Sequence, residues 1–201
     1  MIIGLTGKNA AGKGEVANYL KAKGFIYYSL SDELREEATK KGLSHERETL
    51  TNLGNILRKR NGAGYLAKKI NEKIRNDNKK NARTKSGTNS VGNGKNFVVD
   101  SIRNPFEAKE LLKNRDFLLI GIDAPIGLRF ERLLKRGRTG DSKTLVEFKQ
   151  HEEKENTKNK NSQQLDETFK LAEKIIKNDS SLEELHNKID ELLDELSRVK
   201  F

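Results

Sequence analysis

Cysteine is absent from the 201 residues. That excludes a disulfide framework, a thiol nucleophile and a zinc site built on thiolates. No apolar run approaches the ~18 residues of a membrane span. The first residues carry neither a basic n-region nor a cleavage site, so a signal peptide is not expected and the cytoplasm is the expected compartment. Hydrophobic residues are 33% and aromatics 6%. The core is therefore modest, yet a chain of this length still buries roughly 70% of its unfolded surface. Apolar runs such as Phe117-Leu118-Leu119-Ile120 recur at intervals that argue against disorder. One domain spanning 1–201 is expected. The net charge is +10. It fits a polyanionic partner. No interleaving of aromatic and basic residues of an RNA-binding type is present, so a small polyanion is preferred and nucleic acid disfavoured.

Prolines number only two, Pro105 and Pro125, and each opens a helical pattern. Ile2-Ile3-Gly4-Leu5 reads as a buried strand, followed by a glycine-rich loop and a helix over about 13–23 with Val16, Tyr19 and Leu20 on one face. Residues 25–29 read as a second strand, and helices follow near 32–41, 46–60 and 64–75. Residues 76–96 are rich in Asn, Lys, Gly and Ser and read as a flexible surface loop. Strands are expected at 97–100, 117–122 and 175–176. Helices from Pro105 and Pro125 should turn Ala108, Leu111, Leu112 and Phe130, Leu133, Leu134 inward. The series Leu182, Leu185, Ile189, Leu192, Leu196 and Val199 suits a helix on the sheet better than a short coiled coil. The alternation predicts an α/β fold with an open five-stranded parallel sheet between helical layers. Ligands then lie at the carboxyl ends of the strands, at Gly7–Glu15, Asp100–Asn104 and Asp123.

Gly7-Lys8-Asn9-Ala10-Ala11-Gly12-Lys13-Gly14 fits G-x-x-x-x-G-K between a strand and a helix. Glycines turn the backbone so that its N–H groups face phosphate oxygens, and the helix N-terminus adds positive charge. Lys13 would meet the β- and γ-phosphates. Gly14 stands where Ser or Thr normally ligates magnesium. Two roles fit Glu15: holding a metal-bound water, or simply favouring the helix N-terminus as an anion. Asp100 ends an apolar strand beside the loop strand, a natural place for a metal-water contact. Arg132 and Arg136, four apart, share a helix face and can carry charge to a transferring phosphoryl group. Arg35, Arg58 and Arg103 are candidates for an acceptor phosphate, because a guanidinium donates two parallel bonds. His45, His151 and His186 read as surface residues.

The G-x-x-x-x-G-K-G loop resembles that of adenylate kinases and related nucleoside monophosphate kinases, with Glu15 where those continue with Thr. Ser29-Leu30-Ser31-Asp32-Glu33-Leu34-Arg35 resembles S-T-G-D-x-L-R, which implies that Arg35 holds the acceptor phosphate. Asp100-Ser101-Ile102-Arg103 resembles D-G-x-x-R, with Arg103 one position early. Glu131-Arg132-Leu133-Leu134-Lys135-Arg136-Gly137 is similar to the segment before the lid of UMP/CMP kinases. That likeness implies Arg132 on the donor adenine and Arg136 on the transferring phosphate. Both ends, Ile2–Gly7 and Ile175–Leu185, look like those of dephospho-CoA kinases, which implies Asp32 as a base toward a hydroxyl.

The resemblance implies a P-loop kinase with ATP and Mg2+. Residues 29–75 form the acceptor-binding helical insert, and 137–160 a short lid. Catalysis would rest on Lys13, Arg132, Arg136 and Asp100. The donor would be held by Gly7, Lys8, Asn9, Ala10, Ala11, Gly12, Lys13, Gly14, Glu15 and Arg132. The acceptor would be held by Asp32, Arg35, Arg58 and Arg103, and the metal by Asp100, with Glu15 acting through water. Nucleotides are the expected partners, and a monomer or weak homodimer the expected state. From Thr139 to Ser197 there is no arginine. That absence motivates a further alternative, a nucleotide-binding sensor with little turnover.

Overall fold

A computed structural model describes residues 1–84, 95–137 and 140–198. The strands are β1 (Ile2–Thr6), β2 (Ile26–Ser29), β3 (Phe97–Asp100), β4 (Phe117–Asp123) and β5 (Lys174–Lys177). The helices are α1 (Lys13–Ala22), α2 (Leu30–Lys40), α3 (Arg47–Asn61), α4 (Tyr65–Thr84), α5 (Pro105–Leu111), α6 (Ile126–Arg136), α7 (Leu145–Lys154), α8 (Leu165–Phe169) and α9 (Leu182–Arg198). The five strands form one sheet in the order β2-β3-β1-β4-β5, and every pairing is parallel. This is the expected three-layer α/β arrangement.

The sheet's central strands are almost wholly apolar because both faces are covered. On one face Ile3, Leu5, Val98 and Ile120 pack against Val16 and Leu20 of α1 and Leu185, Ile189 and Leu192 of α9. On the other face Ile2, Phe97, Val99 and Leu119 pack against Leu66, Ile70 and Ile74 of α4 and Ala108 and Leu111 of α5. The α9 stripe is thus spent on the sheet. A separate small cluster of Ala38, Leu53 and Leu57 ties α2 to α3 inside the insert.

Two local expectations change. The helix expected to end near residue 75 runs on to Thr84, so the segment read as a loop from Asn76 begins as helix. Its apolar stripe stops at Ile74, but Tyr28 of β2 donates its hydroxyl to Asp77 at 2.9 Å and holds the next turn down. Residues 85–94 of the expected loop lie outside the described residues. Leu112 and Leu134, expected inward, are exposed. α5 ends at Leu111, and α6 turns Arg129 and Leu133 inward instead, because it faces the glycine-rich loop as well as apolar packing. The region read as a lid contains α7, whose Phe148 is buried with its ring 5.8 Å from that of Phe130.

Candidate active site

The glycine-rich loop leaves the carboxyl end of β1 and enters α1. Two glycines are dictated by space. Gly7 has φ +137°, and a Cβ there would lie 2.2 Å from the Ile122 carbonyl oxygen. Gly12 has φ +108°, and its Cβ would lie 2.1 Å from the Asn178 side-chain nitrogen. Lys13 folds its ammonium over the loop and donates to the carbonyls of Gly7 (2.7 Å) and Lys8 (2.9 Å). Burial pushes its pKa down to about 8, opposed by the carboxylates of Asp100 and Glu155 and aided by Arg103 and Arg129.

A phosphate on that ammonium would restore its proton. In the free protein Lys13 is largely protonated at pH 7 and largely deprotonated at pH 9, so a phosphate ligand must bring the proton back at the higher pH. Affinity for ADP should therefore fall about tenfold between pH 7 and pH 9. Calorimetry across that range checks it, and a flat profile would sink the assignment.

Asp100 ends β3 next to this lysine. Its Oδ1 accepts from the Ser101 N–H at 2.5 Å. Ser101 has φ 65°, a left-handed conformation at the position where D-G-x-x-R carries glycine. Donor chemistry here fits magnesium that arrives with a nucleotide and keeps most of its water. Asp100 offers one carboxylate and Gly14 offers no hydroxyl. Glu15 stands exposed in the first turn of α1. Among the described residues no group of three His, Cys, Asp or Glu side chains forms a metal cage.

α6 brings three arginines toward the loop. Arg136 donates to both oxygens of Asp141 (2.9 and 2.7 Å) and reaches the Asn9 side chain at 3.4 Å. Arg132 donates to the backbone oxygen (3.0 Å) and side-chain oxygen (3.2 Å) of Asn178. Asn178 in turn donates to the Ala11 carbonyl at 2.8 Å. The other terminal nitrogen of Arg132 is buried without a partner. Arg129 is buried, donates to Ala124 O at 2.9 Å and Asn9 O at 3.3 Å, and pairs with Glu152 of α7. Its guanidinium also lies 5.4 Å from the Phe148 ring centroid.

The acceptor candidates are placed differently from one another. Arg58 is locked in a buried ion pair with Glu107, its Nε 2.9 Å from Oε1. The second Glu107 oxygen accepts from the Arg103 N–H at 3.1 Å. Arg35 pairs with Asp32 at 2.7 Å on the exposed face of α2. Both line a shallow cavity of about 450 Å3 with Glu36, Thr39, Lys40 and His45. Arg103 is half-buried, close enough for its charge to act on Lys13. A larger cavity of about 760 Å3 opens beside the loop, with Lys8, Asp123, Asn156, Thr157, Asp166 and Lys170 in its wall.

Two residues at the loop were not legible in the sequence: Arg129 and Asn178. Arg129 precedes Arg132 by one helical turn, and that spacing was the available signal. Asn178 follows β5 by one residue, at the same end of the sheet as the loop.

The loop geometry, the sheet order and Asp100 at the adjacent strand end define a P-loop kinase fold. Comparison with known proteins agrees. A family model described as an AAA domain matches residues 3–158. The UPF0200 protein of Pyrococcus abyssi (strain GE5 / Orsay) is 34% identical over 96% of this chain and 95% of its own length. This chain is an AAA-domain protein of the UPF0200 family. The UPF0200 protein of Sulfurisphaera tokodaii is likewise 34% identical, over 96% of this chain and 95% of the relative. Among solved structures, shikimate kinase from Acinetobacter baumannii in complex with shikimate has a TM-score of 0.55 and 14% identity, covering 99% of this chain and 95% of that one. TT1252 from Thermus thermophilus has a TM-score of 0.52 and 21% identity, covering 98% and 97%. At these identities the likeness is one of fold. No helix among the described residues is long and apolar enough to cross a membrane.

Proposed function

We propose that this UPF0200 protein is an ATP-dependent phosphotransferase and that its acceptor is a nucleoside or deoxynucleoside monophosphate. The observation that carries the reading is the convergence of Lys13, Arg132 and Arg136 on the glycine-rich loop, with Asp100 beside it. Direct attack by an acceptor phosphate oxygen on the γ-phosphorus needs little base catalysis. Positioning and charge neutralisation do most of the work. The loop N–H groups and Lys13 hold the donor phosphates. Arg132, fixed by Asn178, borders the donor side of the loop. Arg136 sits at the loop apex, where charge develops during transfer. Magnesium, when bound with the nucleotide, neutralises the phosphate oxygens, and Asp100 is the residue that would hold it through water.

Arg129 supports this reading against a sensor with little turnover. From Thr139 to Ser197 the chain carries no arginine, but α6 supplies a buried guanidinium that joins the loop to α7. ADP release from ATP and magnesium tests the proposal against a panel of AMP, CMP, UMP, GMP, their deoxy forms, dTMP and dephospho-CoA. Turnover with one monophosphate, absent in Lys13→Met, is the expected result. Turnover with dephospho-CoA alone would replace the monophosphate reading by transfer to a hydroxyl. Nucleotide binding without turnover would leave the sensor.

A further inference from the structure

Arg47 opens α3 in the helical insert, and Glu155 caps the carboxyl end of α7. The two are 108 positions apart, yet Nε of Arg47 donates to Oε1 of Glu155 at 3.0 Å, and Nη2 donates to the same oxygen. Glu155 is more than nine-tenths buried, while the Arg47 side chain is about one-third exposed. The chain after α7 is stitched to the β3–α5 turn. Asn104, fully buried, donates to the carbonyls of Lys160 (2.8 Å) and Ser162 (2.7 Å), and Gln164 N–H donates to Arg103 O at 2.9 Å. That stitching holds Glu155 near enough to the loop for its charge to act on Lys13 together with those of Asp100, Arg103 and Arg129.

A carboxylate at this place is a liability in a protein that accepts a triphosphate, because like charges repel across a partly desolvated site. It is held there by a guanidinium turned side-on, with two donors forward, the face that also matches a phosphate group. Of the insert arginines considered for this task, Arg58 is closed off by Glu107 and Arg35 lies on the exposed face of α2 against Asp32. We propose that Arg47 is the ligand for the acceptor's phosphate group and that Glu155 occupies that seat in the empty protein. This rests on the phosphotransfer reading above. Arrival of the acceptor exchanges a monoanionic carboxylate for a dianionic phosphate on Arg47. It also frees the end of α7, so acceptor binding is coupled to the helix that Arg129 joins to the loop.

The test titrates inorganic phosphate into protein saturated with Mg·AMP-PNP, which fills the donor loop. Glu155→Gln keeps the shape and removes the competing charge, so phosphate should bind about three- to tenfold more tightly. Arg47→Lys keeps the charge and loses the fork, so phosphate should bind at least about tenfold more weakly with AMP-PNP affinity unchanged. A purely structural pair would not give the gain in Glu155→Gln. Unchanged phosphate affinity in both variants overturns the assignment. So does weaker binding in Glu155→Gln, or a parallel loss of AMP-PNP in Arg47→Lys. Failure of the wild type to bind AMP-PNP shows before any phosphate is added. It would overturn the phosphotransfer reading itself, and this assignment with it.

Discussion

Lys13→Met is expected to lower ADP release by on the order of 10^3-fold while leaving the fold intact. Methionine has similar length and no charge. The wild-type ammonium spends its hydrogen bonds on Gly7 O and Lys8 O, so it waits at the loop. Its pKa near 8 shows that burial penalises the charged form. Removing that charge relieves the penalty but leaves two carbonyls without their donor, and the two effects oppose each other. The melting temperature of the free protein should therefore move by only a few degrees. What disappears is the ligand effect. A nucleotide present at about 100 times its Kd adds roughly 2.7 kcal/mol to the wild type, and the variant should show little of this. Differential scanning calorimetry with and without Mg·ADP, beside the ADP-release assay, checks both halves. Full activity in the variant would remove Lys13 from the mechanism.

Arg58→Met should be the most destabilising of the substitutions considered, by about 3–5 kcal/mol. Arg58 and Glu107 are both buried, with side-chain exposures of 6% and 0%. Removing the guanidinium strands a carboxylate that has no route to water. The loss is a large share of a total stability of about 5–15 kcal/mol. For a chain of this size it corresponds to a fall in Tm of roughly 10 °C. The double variant Arg58→Met/Glu107→Gln should recover a large part of the loss, because glutamine is neutral and still accepts from the Arg103 N–H. Urea denaturation of the three proteins measures this. Equal stability of single and double variants would show that the stranded charge is not the cause. The pair also joins α3 to the start of α5, beside Arg103, so acceptor affinity should fall with stability in the single variant and return in the double.

The fold was legible because the strands and most of the helices are written in local pattern. Ile2–Thr6, Phe97–Asp100 and Phe117–Asp123 are apolar enough to be buried on both faces. The loop was legible because steric demand selects glycine at Gly7 and Gly12 whatever surrounds them. The arginines were another matter. Arg35, Arg58 and Arg103 looked alike as acceptor candidates, yet one lies exposed on Asp32, one is sealed against Glu107, and one is half-buried with its charge acting on Lys13. The extension of α4 to Thr84 was equally hidden, since it depends on Tyr28 meeting Asp77 from another element.

The sequence by itself determined the α/β class, the parallel sheet, the phosphate loop and the placing of Asp100 at a strand end. Periodicity and backbone sterics act within a few residues, and those features need nothing more. Only the tertiary structure decided which charges are free to meet a ligand and which are already matched. A guanidinium reads the same in the chain whether its carboxylate partner is three positions away, as for Arg35, or 108 positions away, as for Arg47. Coulomb attraction and desolvation depend on distance in space, and distance in space is set by packing alone.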